Sequence, residues 1–327
     1  MQRERAAAKE DAKIYDYLKD EVGYRLADRI FDIKREFDVG LDLGCGRGHL
    51  SKNITDAAMK KLYMGEFSPA ALESAAVPYC SNLIVEKLHI DEEEPLPFQT
   101  KYLDVVLSNL SLHWVNNLPG CLREVRRVLK DDGVLLASMF GGDTLYQLRS
   151  SLLMAEMERE GGISSHISPF TEVQDIGGLL GQAGFEELTI DTEDITIGYP
   201  SMFELLWDLQ GMAENNASVT RKPYISRDTL MAAAALYQEM YGTEEGIPAT
   251  FQIIYMIGWK PNPNAVLEPA ARGSGQVSLK DLSRLDELVK EKGISGKVAF
   301  IKELEQSVRR YDYDDIGDGK SGKPDDK

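Results

Sequence analysis

The chain has 327 residues, 43% of them hydrophobic, which allows a sizeable core in one large domain or two small ones. Its 54 acids and 37 bases give a formal charge of −17. That balance argues against non-specific nucleic-acid binding, because phosphate contacts run on basic patches. Residues 281–327 hold 12 acids and 10 bases, so nearly all the acid excess precedes them. Cys45, Cys80 and Cys121 are odd in number and widely spaced, which suggests a reducing compartment without a disulfide framework. No C-x-x-C or C-x-x-x-C-x-x-C is present to ligate a zinc ribbon or a radical iron–sulfur cluster. No apolar run reaches the ~18 residues of a membrane span. The N-terminal MQRERAAAKEDAK lacks a secretory apolar region, and its acids make it a poor transit peptide.

Taken in order, Asp16–Phe31 reads as a leading helix with Tyr17, Val22, Leu26 and Ile30 roughly on one face. Val39–Leu43 is a first strand, and a helix is expected from the following glycines to about Met59. Lys61–Phe67 is a second strand. Ser68-Pro69 then starts a helix, Ser as cap and Pro at the first helical position. Leu83–Ile90 is a third strand, followed by the acidic run Asp91–Glu94 and a turn at Pro95–Phe98. Leu103–Asn109 is a near-continuous apolar strand, the pattern of burial on both faces. A helix at Leu118–Leu129 and a fifth strand at Gly133–Phe140 complete an alternation that means a doubly wound, mostly parallel sheet. Beyond Gly142 the pattern changes. A helix at Thr144–Arg159, an irregular loop at Glu160–Thr171 and a helix at Glu172–Ala183 ended by Gly184 come first. A strand at Glu187–Ile197, helices at Ser201–Met212 and Arg227–Tyr241 and a strand at Thr250–Trp259 follow. After Lys260 the chain turns rich in proline and glycine, a boundary signal. Helices are expected within Leu279–Arg310 and disorder in Tyr311–Lys327.

The segment VGLDLGCGRGHL, Val39–Leu50, carries the most chemistry. An apolar strand runs into Asp42, then Gly44, Gly46 and Gly48 alternate around Cys45. Glycines let a ligand lie against the main chain. The G-x-G-x-G spacing departs from the dinucleotide fingerprint G-x-G-x-x-G. A carboxylate beside the turn repels a pyrophosphate but suits the cationic amino-acid part of S-adenosylmethionine. Glu66 ends the second strand, where a carboxylate accepts both ribose hydroxyls. Asp91 or Glu92, ending the third strand, is placed to accept the adenine amino group; a solvated charge run is the alternative. Asn109 ends the fourth strand and lines the same pocket. His113 and Trp114 follow it, as catalytic candidates or as a packed core pair. His166 sits in a loop, Ser164–Phe170, expected to fold over the sheet on the hinge Gly161-Gly162 and bring His166 toward His113. His89-Ile90-Asp91 matches the start of a two-histidine, one-carboxylate iron motif, but that motif belongs to a double-stranded β-helix. No metal site is assigned.

Over residues 35–145 the chain resembles class I S-adenosylmethionine-dependent methyltransferases. Within them it is similar to the mitochondrial complex I assembly-factor-5 arginine hydroxylases. The phrases are YDYLKDEVG (Tyr15–Gly23), LDLGCGRG, NLSLHWVNNLP (Asn109–Pro119), MFGGDTLYQLR (Met139–Arg149), EREGGISSHISPFT (Glu158–Thr171), LLGQAGF (Leu179–Phe185), DLQGM (Asp208–Met212) and PATFQIIYMIGWK (Pro248–Lys260). The resemblance implies a Rossmann-like methyltransferase domain over residues 36–262 with a helical lid or insertion at 143–245. A helical segment at 1–35 would precede it, and a linker and tail at 263–327 would follow. It implies arginine hydroxylation of the small iron–sulfur subunit of the quinone-binding arm of complex I, early in assembly. It also implies a small partner assembly factor and a place in the mitochondrial matrix, peripheral to the inner membrane. Two other readings use the same sheet: methyl transfer to a protein or a small acid such as a malonyl thioester, and a non-catalytic chaperone. The glycine turn points to a methyl donor. Hydroxylation needs an oxygen source that no residue pattern here identifies. The acidity of the chain further suggests a protein substrate with a positively charged target.

Overall fold

The computed structural model describes residues 2–9, 11–244 and 246–263. The linker and tail expected at 263–327, with their helices and disordered end, lie almost wholly outside the described residues. Seven strands form one sheet: β1 (Phe37–Leu43), β2 (Met59–Glu66), β3 (Ile84–His89), β4 (Leu103–Asn109), β5 (Leu129–Phe140), β6 (Glu186–Tyr199) and β7 (Ile247–Trp259). Their spatial order is β3-β2-β1-β4-β5-β7-β6. The first five are parallel, and β7 runs antiparallel between β5 and β6. The expected doubly wound, mostly parallel sheet is therefore present.

Alternation along the central strands explains the two layers, because successive side chains point to opposite faces. Val105 and Leu107 of β4, with Val134 and Leu136 of β5, face one apolar core. Val106, Leu135 and Ala137 face the other. The first core is covered by α2 (Tyr17–Asp32), α5 (Tyr146–Glu160), α7 (Met202–Gly211) and α8 (Arg227–Tyr241). The second is covered by α4 (Leu118–Val128) and α6 (Val173–Ala183). In α2, Leu18, Val22, Leu26 and Ile30 pack inward at helical spacing. α6 ends where expected: Gly184 adopts φ +87°, and its N–H and that of Phe185 bond back to Gly181 and Leu180. Two short helices, α1 (Gln2–Ala7) and α3 (Pro69–Ser74), pack on each other.

Two expectations need correction. No α-helix follows the glycine turn; residues 44–58 form turns and a 3-10 turn at Ser51–Asn53. Gly44, Gly46 and Gly48 all take positive φ, which prevents a helix from nucleating there, and Ile54 is already extended. The fifth strand starts at Leu129 rather than Gly133, because Leu129 pairs with Leu103 before Asp132, at φ +61°, breaks the run. No helix among the described residues is long and apolar enough to cross a membrane.

Candidate active site

Strand order reverses between β1 and β4, so the crevice at the carboxyl ends of these strands is where a ligand binds in such a sheet. The glycine turn, Glu66, Asn109 and the loop after Met212 meet there around a cavity of about 50 Å³. A second cavity of about 820 Å³ adjoins it, lined by Phe67, His89, Asp91, Glu92 and Trp114 among others.

Gly44 is the closest approach. A Cβ there would lie 2.0 Å from Ser111 Oγ and 2.7 Å from Glu92 Oε1. Gly46 donates its N–H to Glu66 Oε2 at 2.8 Å, and Ser68 N–H donates to Glu66 Oε1 at 3.0 Å. Glu66 is fully buried and fixed, so its free lone pairs point where the backbone sets them. Gly48 does not line either cavity; a Cβ there would lie 2.2 Å from the Ala76 carbonyl oxygen, so its role is packing.

Asp42 and Cys45 also need correction. Asp42 is fully buried and lines neither cavity. Its Oδ2 accepts from Ser51 Oγ at 2.5 Å and its Oδ1 has no partner. Burial pushes its carboxyl up to about 7, Ser51 opposing and Glu66 adding. Its side chain is held behind the turn by Ser51. Cys45 is buried too, its thiol pushed well above the usual range by burial, and it lines neither cavity; its Sγ donates to the Gly46 carbonyl at 3.6 Å within the turn.

Asp91 is half-buried and folds over the N–H of Glu93 at 2.9 Å while lining the larger cavity. Glu92 is buried and accepts from Ser111 Oγ at 2.7 Å. Both line the larger cavity, and Glu92 also reaches the glycine turn. Phe67, unremarked in the sequence, is 45% exposed beside His89, ring centroids 5.8 Å apart. It offers an apolar face to a purine. A sequence signal existed, since an aromatic directly follows Glu66 at the strand end. Asn109 holds two elements together: its Nδ2 donates to the Lys19 carbonyl and its Oδ1 accepts from Ser138.

His113 and Trp114 stand side by side, ring centroids 5.5 Å apart. The His113 side chain is 2% exposed, and its Nε2–H donates to Glu214 Oε2 at 3.1 Å. Burial pulls its pKa down, against the pull of Glu214. Its Nδ1 and Trp114 Nε1 have no partner among the described residues. Burial drives the Glu214 carboxyl up, but Lys19 at 2.8 Å and His113 outweigh it and hold it at about 2. Glu214 and Lys19 were missed because they lie 101 and 94 residues from His113 in a sequence with no spacing motif to join them.

The loop before α6 does reach His113, though through a different residue than expected. Phe170 packs its ring against His113 at 5.7 Å and against Phe140 at 5.6 Å. His166 instead bonds to Glu156 Oε2 at 2.8 Å, and Glu156 also holds Lys222 and Ser164. No hydrogen bond or ring contact joins the two imidazoles; each has its own glutamate. His89 and Asp91 bring no third ligand with them: among the described residues no three His, Cys, Asp or Glu side chains converge as a metal site.

The sequence itself decides the kinship. Residues 41–137 match the methyltransferase domain family. The chain is 49% identical over 288 residues to "Arginine-hydroxylase NDUFAF5, mitochondrial" of Danio rerio, covering 88% of each chain. It is 49% identical to the Homo sapiens protein of that name, over 88% of this chain and 82% of the relative. The chain belongs to the NDUFAF5 arginine-hydroxylase family. A malonyl-[acyl-carrier protein] O-methyltransferase of Nitrosospira multiformis is 30% identical over 83% of this chain and 92% of its own length. Methyltransferases are thus its more distant kin.

Proposed function

We propose that this chain is a protein arginine hydroxylase and assembly factor. Its substrate is the small iron–sulfur subunit of the quinone-binding arm of complex I, early in assembly. It works in the mitochondrial matrix, peripheral to the inner membrane, with a small partner assembly factor. The observation that carries this reading is the 49% identity to the arginine hydroxylases across 88% of the chain. The acidity of the chain supports a basic protein target, since opposite charge speeds encounter. S-adenosylmethionine fits the lining of the crevice. Gly44 and Gly46 give close backbone approach, Glu66 suits the ribose diol, Asp91 the adenine amine and Phe67 the purine face. When bound, this group supplies an electrophilic methyl or serves as a fixed structural element. Trp114 lines the larger cavity, while His113 is buried against Glu214 and lines neither cavity. Hydroxylation replaces C–H by C–OH and draws its oxygen atom and oxidant from a co-reactant outside this set of side chains.

The methyltransferase reading is favoured by the 30% relatives and the non-catalytic one by no single contact. Intact mass of the iron–sulfur subunit after co-expression separates them. A gain of one oxygen is expected. A gain of one methylene indicates methyl transfer, and an unchanged mass indicates a chaperone.

A further inference from the structure

Two loops beyond the fifth strand meet beside the larger cavity. Residues 212–226, between α7 and α8, supply Ala213, Ala217 and Arg221 to its lining, and Glu214 to His113. Residues 161–172, between α5 and α6, supply Ser168, whose Oγ accepts the Ala217 N–H at 3.2 Å, and Phe170, whose ring meets His113. Resting on the arginine-hydroxylase reading, we propose that Glu156 is a positioning residue for the protein substrate. From α5 it clasps the two loops together and so fixes the side of the larger cavity that they build.

Three observations carry it. The first is the set of contacts on one carboxylate. The Glu156 side chain is 1% exposed. Its Oε2 accepts from the Ser164 N–H at 2.7 Å and from His166 Nε2 at 2.8 Å. Its Oε1 accepts from Ser164 Oγ at 2.8 Å and from Lys222 Nζ. Ser164 and His166 belong to the 161–172 loop and Lys222 to the 212–226 loop. Lys222 reaches Glu160 Oε2 as well, at 2.7 Å, so α5 grips it twice. Burial drives the Glu156 carboxyl up, but Lys222, Ser164 and His166 outweigh it and hold it at about 2. Removing one partner of a buried charge pair leaves the other uncompensated, so the clasp holds or opens as a unit.

The second is how little else fastens the loops. Ile163, Val219 and Tyr224 are 66%, 99% and 78% exposed and bury no anchor. Apart from the clasp and the Ala217–Ser168 bond, Asn216 Nδ2 donates to the Ser165 carbonyl at 2.7 Å. Segments with few buried apolar contacts open at low cost, so a buried charged clasp decides their position.

The third is where the clasp acts. Lys222 directly follows Arg221, which lines the larger cavity beside Trp114 and Asn116. Glu156 and Lys222 themselves line neither that cavity nor the one at the glycine turn. They therefore work through the loops and touch no ligand. Gly44, Gly46 and Phe67 stand on other elements, so the nucleoside part of the crevice is built without the clasp.

The test uses the full chain and the variants Lys222→Ala, Glu156→Gln and Lys222→Arg. Lys222→Ala comes first because that side chain is 38% exposed and lies outside both apolar cores. Amide hydrogen exchange should quicken in it by about fivefold or more in both loops together, with the sheet unchanged. By isothermal titration the iron–sulfur subunit should bind about fivefold or more weakly, and S-adenosylmethionine within about twofold of the native chain. Turnover should show the same split, KM rising while kcat holds. Glu156→Gln should act in the same direction, and Lys222→Arg should restore native values. Exchange that quickens in one loop only overturns the proposal. So does subunit affinity that holds while both loops loosen, or an equal loss of S-adenosylmethionine binding. A native chain that does not bind the subunit defeats the arginine-hydroxylase reading instead, and joint loosening of the two loops then still supports the clasp.

Discussion

Asp42→Asn should stabilise this protein, and more so at high pH. The Asp42 side chain is fully buried, takes one hydrogen bond from Ser51 and leaves Oδ1 without a partner. Burial therefore raises its carboxyl from 3.8 to about 7. A group with a raised folded-state pKa holds its proton more tightly when folded, so stability falls as pH climbs from the unfolded value through the folded one. At about 1.36 kcal/mol for each pH unit, ionising Asp42 costs the fold about 4 kcal/mol in all, and about 3 kcal/mol of that above pH 5. Asn has nearly the same shape, still accepts from Ser51 and cannot ionise. Urea unfolding of both chains at pH 5 and pH 8.5 measures the effect. Relative to the native chain, the variant should gain about 3 kcal/mol between those pH values. Parallel pH profiles for the two chains would refute a carboxylate held near neutrality behind the glycine turn.

Gly44→Ala should cost about 2 kcal/mol or more, since φ +72° and a Cβ 2.0 Å from Ser111 Oγ both oppose it; calorimetric melting and lost S-adenosylmethionine binding report it. Phe67→Ala should weaken that binding by roughly tenfold or more with little change in melting, because the ring is already 45% exposed; unaltered affinity would remove the ring from the purine site. Glu214→Gln should destabilise by about 3 kcal/mol at pH 7, leaving Lys19 and His113 without their acid. Because the native carboxyl sits at about 2, its contribution is full above 4.5 and fades as pH falls toward 2, so denaturation at pH 3 should show a smaller gap. His166→Ala should lower stability by about 1 kcal/mol and leave S-adenosylmethionine affinity intact, whereas His113→Ala should abolish substrate modification; equal loss of activity in both would restore the paired-imidazole arrangement.

The parallel half of the fold was legible because its signals are local. Leu103–Asn109 has a near-continuous apolar run and is buried throughout, and Ser68-Pro69 caps a helix as its residue types require. The strand ends Glu66 and Asp91 follow from the same register. What could not be read was whatever depends on meetings across the chain. Insertion of β7 between β5 and β6 is set by side chains far apart in the chain, such as Ile257 and Thr189, 68 residues apart and each compatible with other pairings. The glycine turn looked like a helix start because its residues suit one; only the three positive φ angles show otherwise. Asp42 looked like a ligand contact because sequence places a carboxylate beside the turn without saying which way it faces. His166 was sent toward His113 by proximity to a glycine hinge, while the nearer partner, Glu156, sits ten residues back on α5.

The central claim is that this crevice handles an arginine of a protein partner. The most direct measurement is peptide mass spectrometry of the complex I iron–sulfur subunit expressed with and without the native chain. The account predicts one added oxygen on a single arginine with the native chain and none without it. A methylene on any residue, or an unmodified arginine with the native chain, would contradict it.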